Sequence, residues 1–354
     1  MADTIEDTIM ESQDIEQETP PEEVFVAPSI NKSNILSGRS YAHYSPIPGI
    51  IADDMATECV LGVDEAGRGP VLGNFSIDPH KCAYLQHLGP MVYALLYLPL
   101  SLHRSLLAET HHFDDSKVLT PAVRSALMEK LCTTDTDLYR SCGWATKVMS
   151  ARDISSGMLR PAGMYNLNAQ AMDATIELIK AVFAQGINVK EIYIDTIGSP
   201  ITYQKKLERI FPTVEITVAK KADSLYPCVS AASVCAKVTR DAALDVSYEA
   251  YTENTNGDGA AEGWGSGYPS DARCSNWLKR NMDPVFGWGT ECRFSWGTAK
   301  ELLESKNAPL KADWPVEGED DGLKMTDFLT TAEQDGEGDE LVNWYGRKVT
   351  EEVF

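Results

Sequence analysis

Four carboxylates stand where short apolar runs end, and acids so placed can do metal-assisted phosphate chemistry. Asp64 and Glu65 close the run Glu58-Cys-Val-Leu-Gly-Val63, Asp195 closes Glu191-Ile-Tyr-Ile194, and Asp223 lies just beyond Val214-Glu-Ile-Thr-Val218. Acids delivered from neighbouring strands of one sheet crowd together, repel, and raise one another's pKa values. Divalent cations relieve that repulsion, and Mg²⁺ prefers carboxylate and water oxygens to nitrogen or sulfur. A pair of such ions can activate a water and stabilise the leaving oxygen of a phosphodiester. Any one of these acids alone reads as a turn or helix cap. The four together carry the argument.

The densest signal is Gly62-Val-Asp64-Glu65-Ala-Gly67-Arg68-Gly69-Pro70. Adjacent acids leading into Gly-Arg-Gly set backbone amides where a phosphate or sugar can come close. Arg68 complements phosphate charge. On physics alone the run reads equally as a tight turn with an exposed charge pair. Lys220, Lys221, Lys237 and Arg240 are weaker candidates for a phosphate groove, set against ordinary helix-surface charge. His111 and His112 read as solvated loop histidines, and Tyr226 as core.

The eight residues 63–70 resemble the signature of the type-2 ribonuclease H family. Further blocks agree in order: Asp115-Ser-Lys117, Tyr193-Ile-Asp195-Thr, Lys221-Ala-Asp223-Ser-Leu-Tyr226-Pro, Ser230 to Asp241, and Gly265-Ser-Gly-Tyr268-Pro. The likeness spans roughly residues 58–305 and is strongest to the family's eukaryotic catalytic subunits. It implies an α/β, ribonuclease-H-like mixed sheet flanked by helices, with a C-terminal helical extension. It implies Asp64, Glu65, Asp195 and Asp223 as ligands of two Mg²⁺ or Mn²⁺ ions. By the same resemblance Gly67, Arg68 and Gly69 contact the ribose 2′-hydroxyl, Lys117 a phosphate, and Tyr268 the next sugar. The implied activity is hydrolysis 5′ of ribonucleotides, in RNA/DNA hybrids or singly embedded in duplex DNA, leaving 3′-hydroxyl and 5′-phosphate ends. The implied setting is the nucleus, with two accessory protein subunits completing a heterotrimer. Sensing a 2′-hydroxyl is physically sensible, because that group tells an RNA sugar from a DNA sugar.

The elements that must position these residues follow from pattern. Strands are expected at 58–63, 91–98, 191–194 and 214–218. Helices are expected from the Thr120 cap and Pro121 to Leu131, over 166–184 with a stop at Gly186, over 230–244, and near 275–280 and 298–305. Residues 1–50 read as an acidic disordered tail, 57–305 as the catalytic domain, and 306–354 as an acidic tail. Two apolar islands in that last tail, 323–329 and 341–345, suit docking on a partner.

A formal charge of −22 seems hostile to nucleic acid until it is mapped. The first 25 residues hold nine acids and no base, and residues 304–354 hold fourteen acids and five bases. Each end therefore carries −9, leaving −4 for residues 26–303, which can still build a local basic groove. Eight cysteines without a C-x-x-C pair read as reduced thiols rather than a zinc site. No apolar run approaches the roughly 18–20 residues that span a bilayer, and the acidic start is not a secretory leader.

One segment departs from the family. Members run from Val-Leu-Gly directly into Pro-Met-Val-Tyr, whereas here residues 74–89 intervene, between the repeated pairs Leu72-Gly73 and Leu88-Gly89. Two origins compete: a surface loop, which costs little closure entropy, and sixteen codons of unspliced intron. The intron is the favoured expectation, and a mature transcript containing these codons would overturn it. His80, Cys82 and His87 within the segment are discounted as a metal site. If the segment is genuine and obstructs the groove, the competing reading is a non-catalytic, nucleic-acid-binding scaffold. A different metal-dependent phosphotransferase is disfavoured by the Gly-Arg-Gly and Gly-Tyr-Pro blocks.

Overall fold

A computed structural model describes residues 25–68, 88–113, 119–160, 165–196, 198–254, 272–295 and 297–304. Its sheet has strands β1 (Tyr41–Tyr44), β2 (Cys59–Ala66), β3 (Met91–Pro99), β4 (Gly143–Met149), β5 (Val189–Asp195) and β6 (Glu215–Ala219). Their order is β1-β4-β3-β2-β5-β6. The first four neighbours in that order pair antiparallel, whereas β2, β5 and β6 run parallel. Three parallel strands deliver their C-terminal ends to one edge, where open α/β sheets place their ligand sites.

The helices are α1 (Lys32–Leu36), α2 (Gly49–Asp53), α3 (Pro121–Cys132), α4 (Asp137–Ser141), α5 (Ala151–Met158) and α6 (Leu167–Ala184), then α7 (Pro200–Ile210), α8 (Pro227–Asn254), α9 (Ala272–Arg280) and α10 (Gly297–Leu303). Strand alternation sorts the core into two layers. Val92, Ala94, Leu96 and Leu98 of β3 pack with α3 and α8. Met91, Tyr93, Leu95 and Tyr97 face the side of α6 and α7. All nine β3 residues are buried, so truncating one such leucine to alanine costs about 2–5 kcal/mol. A third cluster joins Leu88 to Trp277, Leu278, Trp288 and Cys292 near the end of the described chain.

Helix α8 lies unusually close to β2. Its first half is rich in small residues, and a Cβ added at Gly62 would meet the Cys228 backbone at 2.3 Å. Only glycine admits that approach. The same contact fixes the turn before α8, which carries Asp223, against the strand that carries Asp64 and Glu65.

The expected mixed sheet with flanking helices is present. Two expectations need correcting. Order does not wait for Glu58: α1, β1 and α2 fall within residues 25–53, β1 pairs with β4, and Ala27 and Ser29 are buried. An edge strand of four residues gains its stability from that pairing, which no local pattern announces. His111 is likewise no solvated loop side chain. Its Nε2 meets Asp137 at 2.9 Å with the imidazole 10% exposed. Residues 1–24, most of the insert, and the tail with its two apolar islands lie outside the described residues.

Candidate active site

Register brings the acids together. Val63 pairs with Ile194, so Asp64 and Asp195 leave adjacent parallel strands side by side. Asp195 pairs with Ala219 at the end of β6. The chain then turns through Lys221, which holds a left-handed φ of 58°, into the short 3-10 segment carrying Asp223. The Ala222 amide donates to Asp195 Oδ1 at 2.8 Å, tying that turn to β5.

Successive strand residues point to opposite faces. Asp64 therefore faces α8 and Glu65 faces α6 and α7, with Asp195 beside both. Asp64 is 5% exposed. Burial, then Glu65, then Asp195 hold its carboxyl well above the usual range. Burial raises Glu65 too, with Arg68 opposing and Asp195 adding. Among the described residues no Lys or Arg pairs with Asp64. A buried acid beside two others, without a basic partner, suits a hard divalent cation bound through oxygen. Without one, the acids use protein partners. Asp64 Oδ1 accepts from the Glu65 amide at 2.7 Å, and Glu65 pairs with Arg68 at 3.3 Å. Among the described residues no three ligand side chains have drawn in to metal-binding distance.

The turn after β2 is held from far away in sequence. Gly67 has φ +86°, a conformation that suits glycine. Arg293 is fully buried, donating from Nη1 to the Gly67 carbonyl at 2.7 Å and from Nε to the Gly89 carbonyl at 3.0 Å. One guanidinium thus clasps both stems of the β2–β3 hairpin, on either side of the insert. Leu88 and Gly89, the last residues of that insert, belong to the core: Leu88 is buried and the Gly89 amide donates to Glu291.

Of the expected site residues, Asp64, Glu65, Gly67, Arg68, Asp195 and Asp223 sit at this one edge of the sheet. Gly69, Lys117 and Tyr268 lie outside the described residues. Lys220 and Lys221 are exposed at the rim, while Arg240 pairs with Asp241 and Tyr226 stacks on Tyr193 with ring centres 4.0 Å apart. Arg293, Asn168, Tyr93 and Tyr203 were not anticipated. Asn168 accepts a short hydrogen bond from Arg68 Nη2. Tyr93 stands opposite Glu65 in the β2–β3 pair, with its hydroxyl buried and unpartnered among the described residues. The Asn166-Leu-Asn168 helix start was the one readable signal. Nothing local marks Arg293, whose role exists only in three dimensions.

A mixed sheet with carboxylates gathered at the ends of its parallel strands defines a nuclease of the ribonuclease H kind. The structure is similar to that of ribonuclease H2 from Pyrococcus horikoshii, with TM-score 0.51 and 26% identity, covering 70% of this chain and 97% of that one. The chain belongs to the ribonuclease HII family, whose model matches residues 86–299. The ribonuclease H2 A-subunit of Neurospora crassa is 54% identical over 346 residues, 96% of this chain and 99% of that protein. Its human counterpart is 42% identical over 287 residues, covering 80% and 85%. The protein is therefore an enzyme that hydrolyses phosphodiester bonds. The 62–70 signature lies upstream of the matched family span, beyond the insert.

Proposed function

We propose that the enzyme cuts on the 5′ side of ribonucleotides, in RNA/DNA hybrids and at single ribonucleotides in duplex DNA, leaving 3′-hydroxyl and 5′-phosphate ends. The observation carrying this is the buried group of Asp64, Glu65 and Asp195 directly preceding the Gly67-Arg68 turn. Asp64, Glu65, Asp195 and Asp223 would hold Mg²⁺ or Mn²⁺, in the two-ion arrangement. Such ions supply an activated water and stabilise charge on the leaving oxygen.

The protein's own share is placement. Strands β2 and β5 fix the carboxylates on rigid backbone. Arg293 holds the Gly67 carbonyl, so the turn presents its amides to a ribose without first ordering itself, which spares binding energy. Arg68, anchored by Glu65 and Asn168, offers charge to the strand. Gly69 completes the 2′-hydroxyl contact, Tyr268 packs on the following sugar, and Lys117 meets a phosphate. The subunit names of the relatives support accessory protein subunits, two in a heterotrimer, and the substrate supports a nuclear setting.

The test is incision, with Mg²⁺, of a duplex holding one ribonucleotide, alongside a continuous hybrid and an all-DNA duplex. The intact chain with its accessory subunits is compared with Asp195→Asn. A 5′ cut, absent from all-DNA and lost in Asp195→Asn, is the expected result. Equal cutting of all-DNA revives a general phosphotransferase. Binding without cutting by the intact chain favours the scaffold.

A further inference from the structure

Beside the acids lies a cavity of about 530 Å³ that the four-carboxylate chemistry leaves unused. Arg68, Asn168, Thr196, Ser199, Thr202 and Lys206 line it. We propose that this cavity is a subsite for a backbone phosphate of the nucleic-acid strand, away from the linkage being cut. The inference rests on the function proposed above and adds a site to it.

Three observations carry it. First, two long helices begin at the same cavity. Asn166, Asn168 and Ala169 bring the first turn of α6, while Ser199 and Thr202 bring that of α7. Each helix start is worth roughly half a positive charge. Neither has an acid in its first turn, and Ser199 makes no side-chain cap bond to the amides of α7. Helix starts normally recruit such caps; an uncapped one has amides to offer an anion.

Second, Arg68 lines the cavity at only 8% exposure, and its Nε–H has no hydrogen-bond partner among the described residues. Its other two nitrogens are committed to Glu65 and Asn168. A buried guanidinium with an unmet donor is costly unless a ligand meets it, and guanidinium suits phosphate oxygens. Third, Lys206 stands at the mouth, exposed and thus adaptable.

The opposing charge is small. Asp173 also lines the cavity but accepts from Tyr165 Oη at 2.5 Å, and Glu65 is engaged with Arg68. Two cations and two helix starts outweigh two acids. The cavity also adjoins the cutting site: Thr196 directly follows Asp195, and Tyr203 of the wall feels the charges of Glu65 and Arg68. A strand whose linkage lies at the carboxylates can lay a neighbouring phosphate here.

The test replaces one phosphate at a time by a neutral methylphosphonate, along both strands of a duplex with a single ribonucleotide. The intact chain with its accessory subunits is compared with Lys206→Ala and, as a control, with Lys205→Ala. At one linkage away from the cut, neutralisation is expected to raise KM about tenfold in the parent. Lys206→Ala should raise KM similarly, add little at that linkage, leave kcat unchanged, and lower the slope of log Kd against log salt by about one. Lys205→Ala should do none of this. Parental KM in Lys206→Ala, or losses that add independently at every linkage, overturns the subsite while leaving the nuclease standing. A parent that cuts at no ribonucleotide overturns both.

Discussion

At the ends of β2 and β5 three acids are buried together, and two of them, Asp64 and Glu65, hold protons that ordinary carboxylates would have lost. Across Arg68, the first turns of α6 and α7 meet with no acid in either. The acid side is built on strands, whose register leaves its carboxylates little freedom. The basic side is built on helix starts and two long cations, which adapt. The pairing suits a substrate with one reacting linkage and many similar phosphates: rigidity where geometry decides the rate, adaptability where charge decides the grip.

The largest effect should come from the acid side. Asp64→Asn is expected to lower kcat about a thousandfold with KM little changed, because several kcal/mol of metal-assisted stabilisation are lost. Single-turnover kinetics at saturating substrate will check it. Next comes the seam between the two sides. Arg293→Met leaves two buried carbonyls unmet, costing about 2–6 kcal/mol at 1–3 per group. Denaturant unfolding should show that loss, and KM for a ribonucleotide duplex should rise because the Gly67 turn is no longer held. Unchanged stability would refute the clasp.

A smaller loss is expected for Gly62→Ala, which pushes α8 off β2 and costs about 1–3 kcal/mol in overpacking. It should disturb the face of Asp64 and Asp223 while sparing the cavity, so kcat falls and the Lys206 salt slope stays. The smallest effect concerns protons. Asp64 and Glu65 titrate above 3.8 and 4.5 in the folded chain, so that chain binds more protons than the unfolded one. In chelator, stability therefore falls as pH rises from about 4 through the raised native values. Asp64→Asn should flatten that fall and raise Tm at neutral pH by about 2–4 °C. A Tm in chelator that climbs with pH across that window would show the acids are not mutually destabilised.

Much of the acid side was legible in the sequence. β2, β5 and β6 are apolar runs ending in acids, and α6 shows its cap, its period and its stop. The cavity was not. Its walls come from α7, where Leu207 alone is buried and Ile201 and Ile210 are exposed, so no clear apolar stripe declares a helix. β1 and β4 escaped for a related reason: Tyr41-Ala-His-Tyr44 is a strand because β4 lies beside it. His111 looked solvated because Asp137, its partner, is 26 residues away. Contacts of that kind are decided by tertiary structure.

Arg293 follows Gly67, whose carbonyl it holds, by 226 residues. At about 5–20 residues per second, a ribosome needs about 10–45 s more to make the clasp after making the turn. Every candidate metal ligand is synthesised before it. The growing chain therefore carries its acids well before the adjoining turn is secured, and readiness to cut is among the last properties that biosynthesis confers.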